Sequence, residues 1–310
     1  MSQSVRIQPT PEPTAIGWRT VAPDNATAVL VLDATLAQQT GRGQSCVPFA
    51  WDDIPLNILL ELDRRPVIAH RGGGARAPEN TIEAMRLAIA DGADGLEFDV
   101  RLSADGEVVV IHDPTVDRTT GGTGAVERMT LAELISLDAG FRFSGRPLDP
   151  ATTIKHRIPT LDEVLRSFPG VPLLIEIKAP LAASATRRLI EKHGAEDRCL
   201  VDSFTSTALN VFRDSRIARG AGRSGVIGLL ARSFTGARSP VPGDVSALSI
   251  PRTYYGVPLP VRHLAGIMRS ARKPTHIWTV NDPDEARAMW ELGASGIITD
   301  DVPVILAARS

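Results

Sequence analysis

Cysteine is scarce: the 310 residues hold two, Cys46 and Cys199. That excludes a disulfide framework and a multi-cysteine zinc site. Long hydrophobic runs are missing too. The longest span only a few residues, such as 28–32, against the roughly 20 a transmembrane helix needs, so an integral membrane protein is excluded. Neither sign of charge dominates. Lys and Arg total 34, Asp and Glu 36, and the formal net charge is −2, so no basic excess points to a nucleic-acid partner. The opening MSQSVRIQPTPEPT lacks the apolar core of roughly 7–15 residues that a secretory signal carries, and the expectation is a cytoplasmic protein. A composition of 43% apolar and 23% charged residues still suffices for a sizeable core. The length suits one large domain or two small ones.

The pattern divides the chain near residue 64. Residues 1–64 are rich in Pro, Thr, Ala and Gln, with two apolar stretches at 27–37 and 54–63. They read as an N-terminal extension of unknown role that packs on the main domain or stays partly disordered. From residue 65 short apolar runs alternate with helical patterns, the signature of βα units and a parallel sheet. Eight strands are predicted, at 66–70, 95–100, 173–179, 198–204, 224–231, 244–250, 275–280 and 296–301. Eight in about 245 residues match a (β/α)₈ barrel better than an open doubly wound sheet. Gly92, Gly194 and Gly293 stand where helix C-caps belong. Asn80 or Thr81 can cap the first helix, and Asp282-Pro283 opens a late one. Residues of about 101–160 break the rhythm. A hairpin turning at Asp105-Gly106, a Gly/Thr-rich loop and a short helix at 130–140 form a small insertion after strand 2, on the catalytic face of a barrel.

The charged residues fall at strand ends. Strand 2 carries Glu97 and Asp99, and strand 3 carries Glu176 and Lys178. Residues two apart in a strand share a face, about 6.6 Å apart. Carboxylates crowded on an inner face repel one another unless a cation lies between them, and a divalent ion with oxygen ligands fits. The plain alternative is a structural ion-pair network of these four with Arg71. His70 ends strand 1 and is followed by Arg71 and Gly72–Gly74, whose amides could approach an anion. His112 ends the insertion hairpin, beside Asp113. Two histidines feeding one barrel mouth suit general acid and base. Trp278 is either core or an aromatic pocket wall. Glu79 and Asn80 either cap the first helix or orient the site. His156, His193, His263 and His276 carry no such context.

These segments together resemble the glycerophosphodiester phosphodiesterase family. The matches are AHRGGGARAPENTIEA (69–84), DGLEFDVRLSADGEVVVIHDPTVDRTTGGTG (94–124), IPTLDEVL (158–165), LLIEIK (173–178), WTVND (278–282) and GIITDD (296–301). They recur in order across roughly 240 residues, from about 66 to 306. The resemblance implies a barrel with an insertion after strand 2. It implies one divalent cation, Mg²⁺ or Ca²⁺, held by Glu97, Asp99 and Glu176. It implies His70 and His112 as the acid/base pair, Arg71 binding phosphate, Lys178 stabilising its charge, and Trp278 in the substrate pocket. The implied reaction releases glycerol 3-phosphate and an alcohol from a small glycerophosphodiester, through attack of the glycerol 2-hydroxyl on phosphorus and hydrolysis of a cyclic phosphate. The rivals are a lysophospholipid-directed phosphodiesterase, which an apolar mouth in the loops of 232–258 would favour, a non-catalytic metal- or phosphate-binding barrel, and a sugar-phosphate isomerase or aldolase. The last should show a Schiff-base lysine or a phosphate loop after strands 7 and 8, and Lys178 is the only lysine at a strand end. The extension lies outside the family core, residues 232–258 with Tyr254 and Tyr255 match it poorly, and the loop RGGGARAPEN departs from it in its three glycines and Arg76.

Overall fold

Alternation of period two decides where every strand residue goes. The structure is a computed structural model and describes residues 57–144, 155–235 and 241–309. In chain order the strands are β1 (Val67–Ala69), β2 (Gly95–Leu102), β3 (Val108–Val110), β4 (Leu173–Ile177), β5 (Cys199–Asp202) and β6 (Ala218–Arg219). They continue with β7 (Leu248–Pro251), β8 (Thr253–Tyr254), β9 (Val257–Pro258), β10 (Thr275–Trp278) and β11 (Gly296–Thr299). The α-helices are α1 (Ile82–Ala90), α2 (Leu131–Ser136), α3 (Leu161–Ser167), α4 (Ala183–Lys192) and α5 (Ser206–Asn210). The last four are α6 (Gly222–Thr235), α7 (Val261–Ser270), α8 (Pro283–Glu291) and α9 (Val302–Ala308). Parallel strands run in the order β6-β5-β4-β2-β1-β11-β10-β7, and a parallel bridge between Gly220 and Ala247 joins the two ends. The fold is the expected (β/α)₈ barrel.

Outward residues such as Val67, Phe98, Ile175, Val201 and Ile277 pack against the helices. Inward residues Ile68, Leu174, Leu200, Ala247 and Ile298 fill the lower lumen together with Leu59. Leu59 lies in a 3₁₀ turn, Ile58–Leu60, whose N-cap Asn57 accepts the Leu59 N–H. Gly95 leaves room for it: a Cβ there would stand 3.0 Å from the Leu59 side chain. The stretch 27–37 and residues 145–154 lie outside the described residues.

Sequence cues place the helix ends. Thr81 caps α1, Asp282 caps α8 ahead of Pro283, and Thr130 and Thr160 form capping boxes with Glu133 and Glu163. Gly92, Gly194 and Gly293 all take positive φ, as C-cap positions require. One expected strand is wrong. Residues 224–231 lie within α6, and the strand of that βα unit is the two-residue β6 just before it. A short apolar run between glycines does not separate strand from helix, and here Val226, Leu229 and Leu230 recur at helical spacing. No helix among the described residues is long and apolar enough to cross a membrane.

Candidate active site

Following one inward row upward turns apolar residues into charged ones. Ile68 is followed by His70, Leu174 by Glu176 and Lys178, and Leu200 by Asp202. Register aligns these rows: Asp99 stands opposite Glu176, and Glu176 opposite Asp202. At the C-terminal ends of the strands His70, Arg71, Glu97, His112, Glu176, Lys178 and Trp278 line one cavity, partly open to solvent. Asp99 is buried alongside, in ion pairs with Lys178 (3.1 Å) and Arg71 (3.5 Å). The structure therefore brings together the eight residues His70, Arg71, Glu97, Asp99, His112, Glu176, Lys178 and Trp278.

The hairpin delivers His112. Val100 pairs with Val110 and the Ile111 N–H donates to the Asp99 carbonyl at 2.9 Å, so the next residue emerges at the mouth. Arg101 Nε fixes its carbonyl at 2.8 Å. The opposite edge is set by two left-handed residues. Arg71 at φ 50° aims its N–H at Glu97 Oε2, 2.8 Å away, and its carbonyl accepts the Asn80 N–H at 2.7 Å. Asn80 at φ 59° donates its amide to Asp99 Oδ2 at 2.9 Å and accepts the Asp99 N–H. For non-glycine residues this backbone costs about 1–2 kcal/mol each, which those hydrogen bonds offset. Asn80 and Glu79 thus orient the site, and Thr81 alone caps the helix.

Glu97, Asp99 and Glu176 bring carboxylate oxygens within 4.8 Å of one another. Burial, with the Asp99 and Glu176 charges, raises the Glu97 pKa above the usual carboxylate range. Burial also opposes the charge on Asp99, but Lys178, His112 and Arg71 outweigh it and hold that carboxyl below its ordinary value. Lys178 lies 2.8 Å from Glu176, and despite burial these acids raise its pKa. Three converging hard oxygen donors, one of them destabilised by its neighbours, match the needs of a divalent cation.

Both imidazoles have Nδ1 engaged. His70 Nδ1 meets Asp300 Oδ1 at 2.7 Å, and Asn281 donates to Asp300 Oδ2 at 2.8 Å. His112 Nδ1 meets Asp113 Oδ1 at 2.6 Å. Asp113 is tied to Arg118, Arg118 to Glu79 at 2.7 and 2.8 Å, and Glu79 to Arg71 at 2.9 Å. Burial depresses the His112 pKa, and Asp99 and Asp113 only partly offset it. At His70 burial is outweighed by the Asp300 hydrogen bond and the Glu97 charge, which raise its pKa. Sequence reasoning passed over Asp300, Arg118, Asn281 and Asp202. Asp300 and Asp202 had a usable signal, since each lies two residues beyond an inward apolar residue. Burial beside Glu176 pushes the Asp202 carboxyl up to about 7.

The family model described as the glycerophosphoryl diester phosphodiesterase family matches residues 70–304. A protein of Caldanaerobacter subterraneus subsp. tengcongensis named glycerophosphodiester phosphodiesterase is 34% identical over 247 residues, covering 77% of this chain and 96% of its own length. The solved structure of an Oleispira antarctica phosphodiesterase in complex with the product sn-glycerol-3-phosphate is 27% identical, with a TM-score of 0.63 over 79% of this chain and 96% of that one. Glycerophosphodiester phosphodiesterase from Thermotoga maritima is 28% identical, with a TM-score of 0.59 over 79% and 98% of the two chains.

Proposed function

This chain belongs to the glycerophosphoryl diester phosphodiesterase family, and from that premise we propose that it hydrolyses glycerophosphodiesters to glycerol 3-phosphate and an alcohol. The observation that carries this reading is the pairing of two carboxylate-anchored histidines with a three-carboxylate cluster around one cavity. The catalytic unit in this reading is the stretch 65–310, with Ile58–Leu60 adding the barrel floor.

With Nδ1 taken by a carboxylate, Nε2 is the ring nitrogen each imidazole has left for chemistry in the cavity both line. One of His70 and His112 takes the proton of the attacking glycerol 2-hydroxyl. The other gives a proton to the departing alcohol oxygen as the P–O bond breaks. When water opens the cyclic phosphate the two exchange roles, since each then holds the proton state the second step needs. Arg71 and Lys178 lie on the same cavity and neutralise the phosphoryl oxygens, which is most of what phosphoryl chemistry asks of a protein. Glu97, Asp99 and Glu176 would hold the divalent cation, Mg²⁺ or Ca²⁺, which when bound adds positive charge beside the phosphate. Trp278 walls the substrate side.

The test is release of glycerol 3-phosphate from glycerophosphocholine by purified protein with Mg²⁺, with Ca²⁺ and with chelator. Release that needs a divalent ion is expected. Equal release in chelator would remove the ion from the scheme, and no release from folded protein under any ion would overturn the reading.

A further inference from the structure

The rim of the barrel mouth has two unlike halves. Among the described residues seven large hydrophobic side chains are exposed. Five of them, Leu181, Phe204, Ile227, Tyr255 and Val257, follow the C-terminal ends of β4, β5, β6 and β7. Those strands are consecutive around the barrel, with the bridge between Gly220 and Ala247 joining β6 to β7. Single exposed apolar residues need no explanation, but a set gathered on one side of one opening marks an interaction surface. The segments that carry them hold no acid. Stretches 178–190, 203–213, 220–235 and 252–271 contain neither Asp nor Glu, in a chain with 36 of them. Arg223, Arg252 and Arg262 stand there instead. Exposed acids of the rim, such as Asp117, Asp282 and Asp284, lie in the loops after β3 and β10 on the other half.

The apolar residues are presented outward by their local structure. β8 and β9 form a hairpin in which Tyr254 pairs with Val257, so its turn is Tyr255-Gly256, both with positive φ. Such a turn favours Asn or Gly at its first position, yet the position holds a tyrosine that is 87% exposed. The Tyr255 ring meets that of Tyr254 edge to face at 4.6 Å. Arg223 and Ile227 are four residues apart in α6 and share a helix face. Arg262 lies in the first turn of α7, and Arg252 directly follows β7. Arg252 is tied to Glu285, whereas Arg223 and Arg262 have no acidic partner among the described residues. Tyrosine and arginine around protruding aliphatic side chains is the composition of a surface that sits at a lipid–water boundary. A second copy of this face would instead set arginines against arginines, with no acid to answer them.

We propose that this half of the rim docks on the surface of an anionic lipid membrane, with Leu181, Ile227, Tyr255 and Val257 entering the headgroup layer and Arg223 and Arg262 meeting the lipid phosphates. Apolar burial and attraction to anionic lipid add in such a contact. The exposed acids of the other half are repelled by the same surface and stay in water, so the protein sits tilted and one side of its mouth remains open to solutes. Docking sets where the protein works and leaves the charged cavity unaltered, so the inference is independent of the proposed hydrolysis.

The test is co-flotation of the full chain with vesicles, with Mg²⁺ present. Vesicles of equal parts phosphatidylserine and phosphatidylcholine should capture the protein about tenfold better or more than phosphatidylcholine alone, and added salt should weaken the capture. Neither lipid has a free glycerol 2-hydroxyl, so neither is a substrate in the proposed reaction. Tyr255→Glu combined with Val257→Glu should lower capture by about tenfold or more. Arg223→Gln and Arg262→Gln should each lower it by about fivefold, the worth of one basic residue at an anionic surface. Phe141→Glu is the control. Phe141 and Val257 are both 64% exposed, but Phe141 lies in the insertion, outside the four apolar segments, and its variant should float as the wild type does. None of these residues lines the charged cavity, so glycerophosphocholine turnover should stay within about twofold in each. If the double variant fails to fold, the two arginine variants decide. No capture of the wild type by anionic vesicles, capture unmoved by the substitutions, or an equal loss with Phe141→Glu overturns the inference. A dimer in sedimentation velocity that the Tyr255 and Val257 substitutions abolish would assign the face to a second copy and overturn it as well.

Discussion

The two ends of the barrel lumen are built from the same strands and differ in almost everything else. At the bottom Leu59, Ile68, Leu200 and Ala247 pack together with a neutral histidine, His276. Two residues further along, the same strands carry His70, Glu176, Asp202 and Trp278. The lower layer gains stability by removing apolar surface from water. The upper layer spends it, holding four acids and two cations close together with little water to screen them. A barrel tolerates this because each layer is supplied by alternate inward positions, so one end can be optimised for packing while the other is left to chemistry.

The sharpest way to break that contrast is to remove one imidazole at the top. His70→Ala or His112→Ala should lower kcat by roughly 10²–10⁴-fold, with the folded circular dichroism spectrum intact. Near-wild-type turnover by either variant would end its acid/base assignment. At the bottom Leu59→Ala should behave inversely. Truncating this fully buried side chain should cost about 2–5 kcal/mol of unfolding free energy and leave kcat unchanged at temperatures where the variant is folded. A fall in kcat matching the loss of stability would mean the layers are coupled.

Legibility in the sequence followed the same divide. Glu97, Asp99, Glu176 and Lys178 stood out because charge inside an apolar strand is costly unless used, and the strand period aimed them inward. The partners that hold the histidines were harder to see. The strand period aims Asp300 into the lumen but does not pair it with His70, 230 residues away in the chain, and no local period brings Arg118 to Glu79 across 39 residues. The one misplaced strand has a similar origin. β6 has two residues, too few to display alternation, while the β-branched pair Val226-Ile227 made the following helix look like a strand. The role of Leu59 in the lumen was equally hidden, because it depends on the absence of a side chain at Gly95.

The smallest predicted effect concerns pH at the bottom layer. His276 Nε2 donates to the Leu59 carbonyl at 2.8 Å, and its buried Nδ1 has no hydrogen-bond partner among the described residues. Protonating Nδ1 would place an unsatisfied charged N–H in the core, and burial accordingly pushes the His276 pKa down to about 4. The unfolded chain binds this proton near pH 6.5, so between those values the unfolded state holds one proton more than the folded state. Stability is therefore complete above about pH 6.5 and declines as pH falls toward 4, by about 3 kcal/mol at most. Carboxylates titrate in part of the same window, so the comparison is with His276→Gln, which keeps an amide N–H for Leu59 and cannot titrate. The stability difference between the two proteins should shift by that amount, in favour of the variant, from pH 7 to pH 4. Parallel curves would show that the lower layer accommodates the charge, and that the contrast between the two ends of the lumen is one of composition rather than of tolerance for charge.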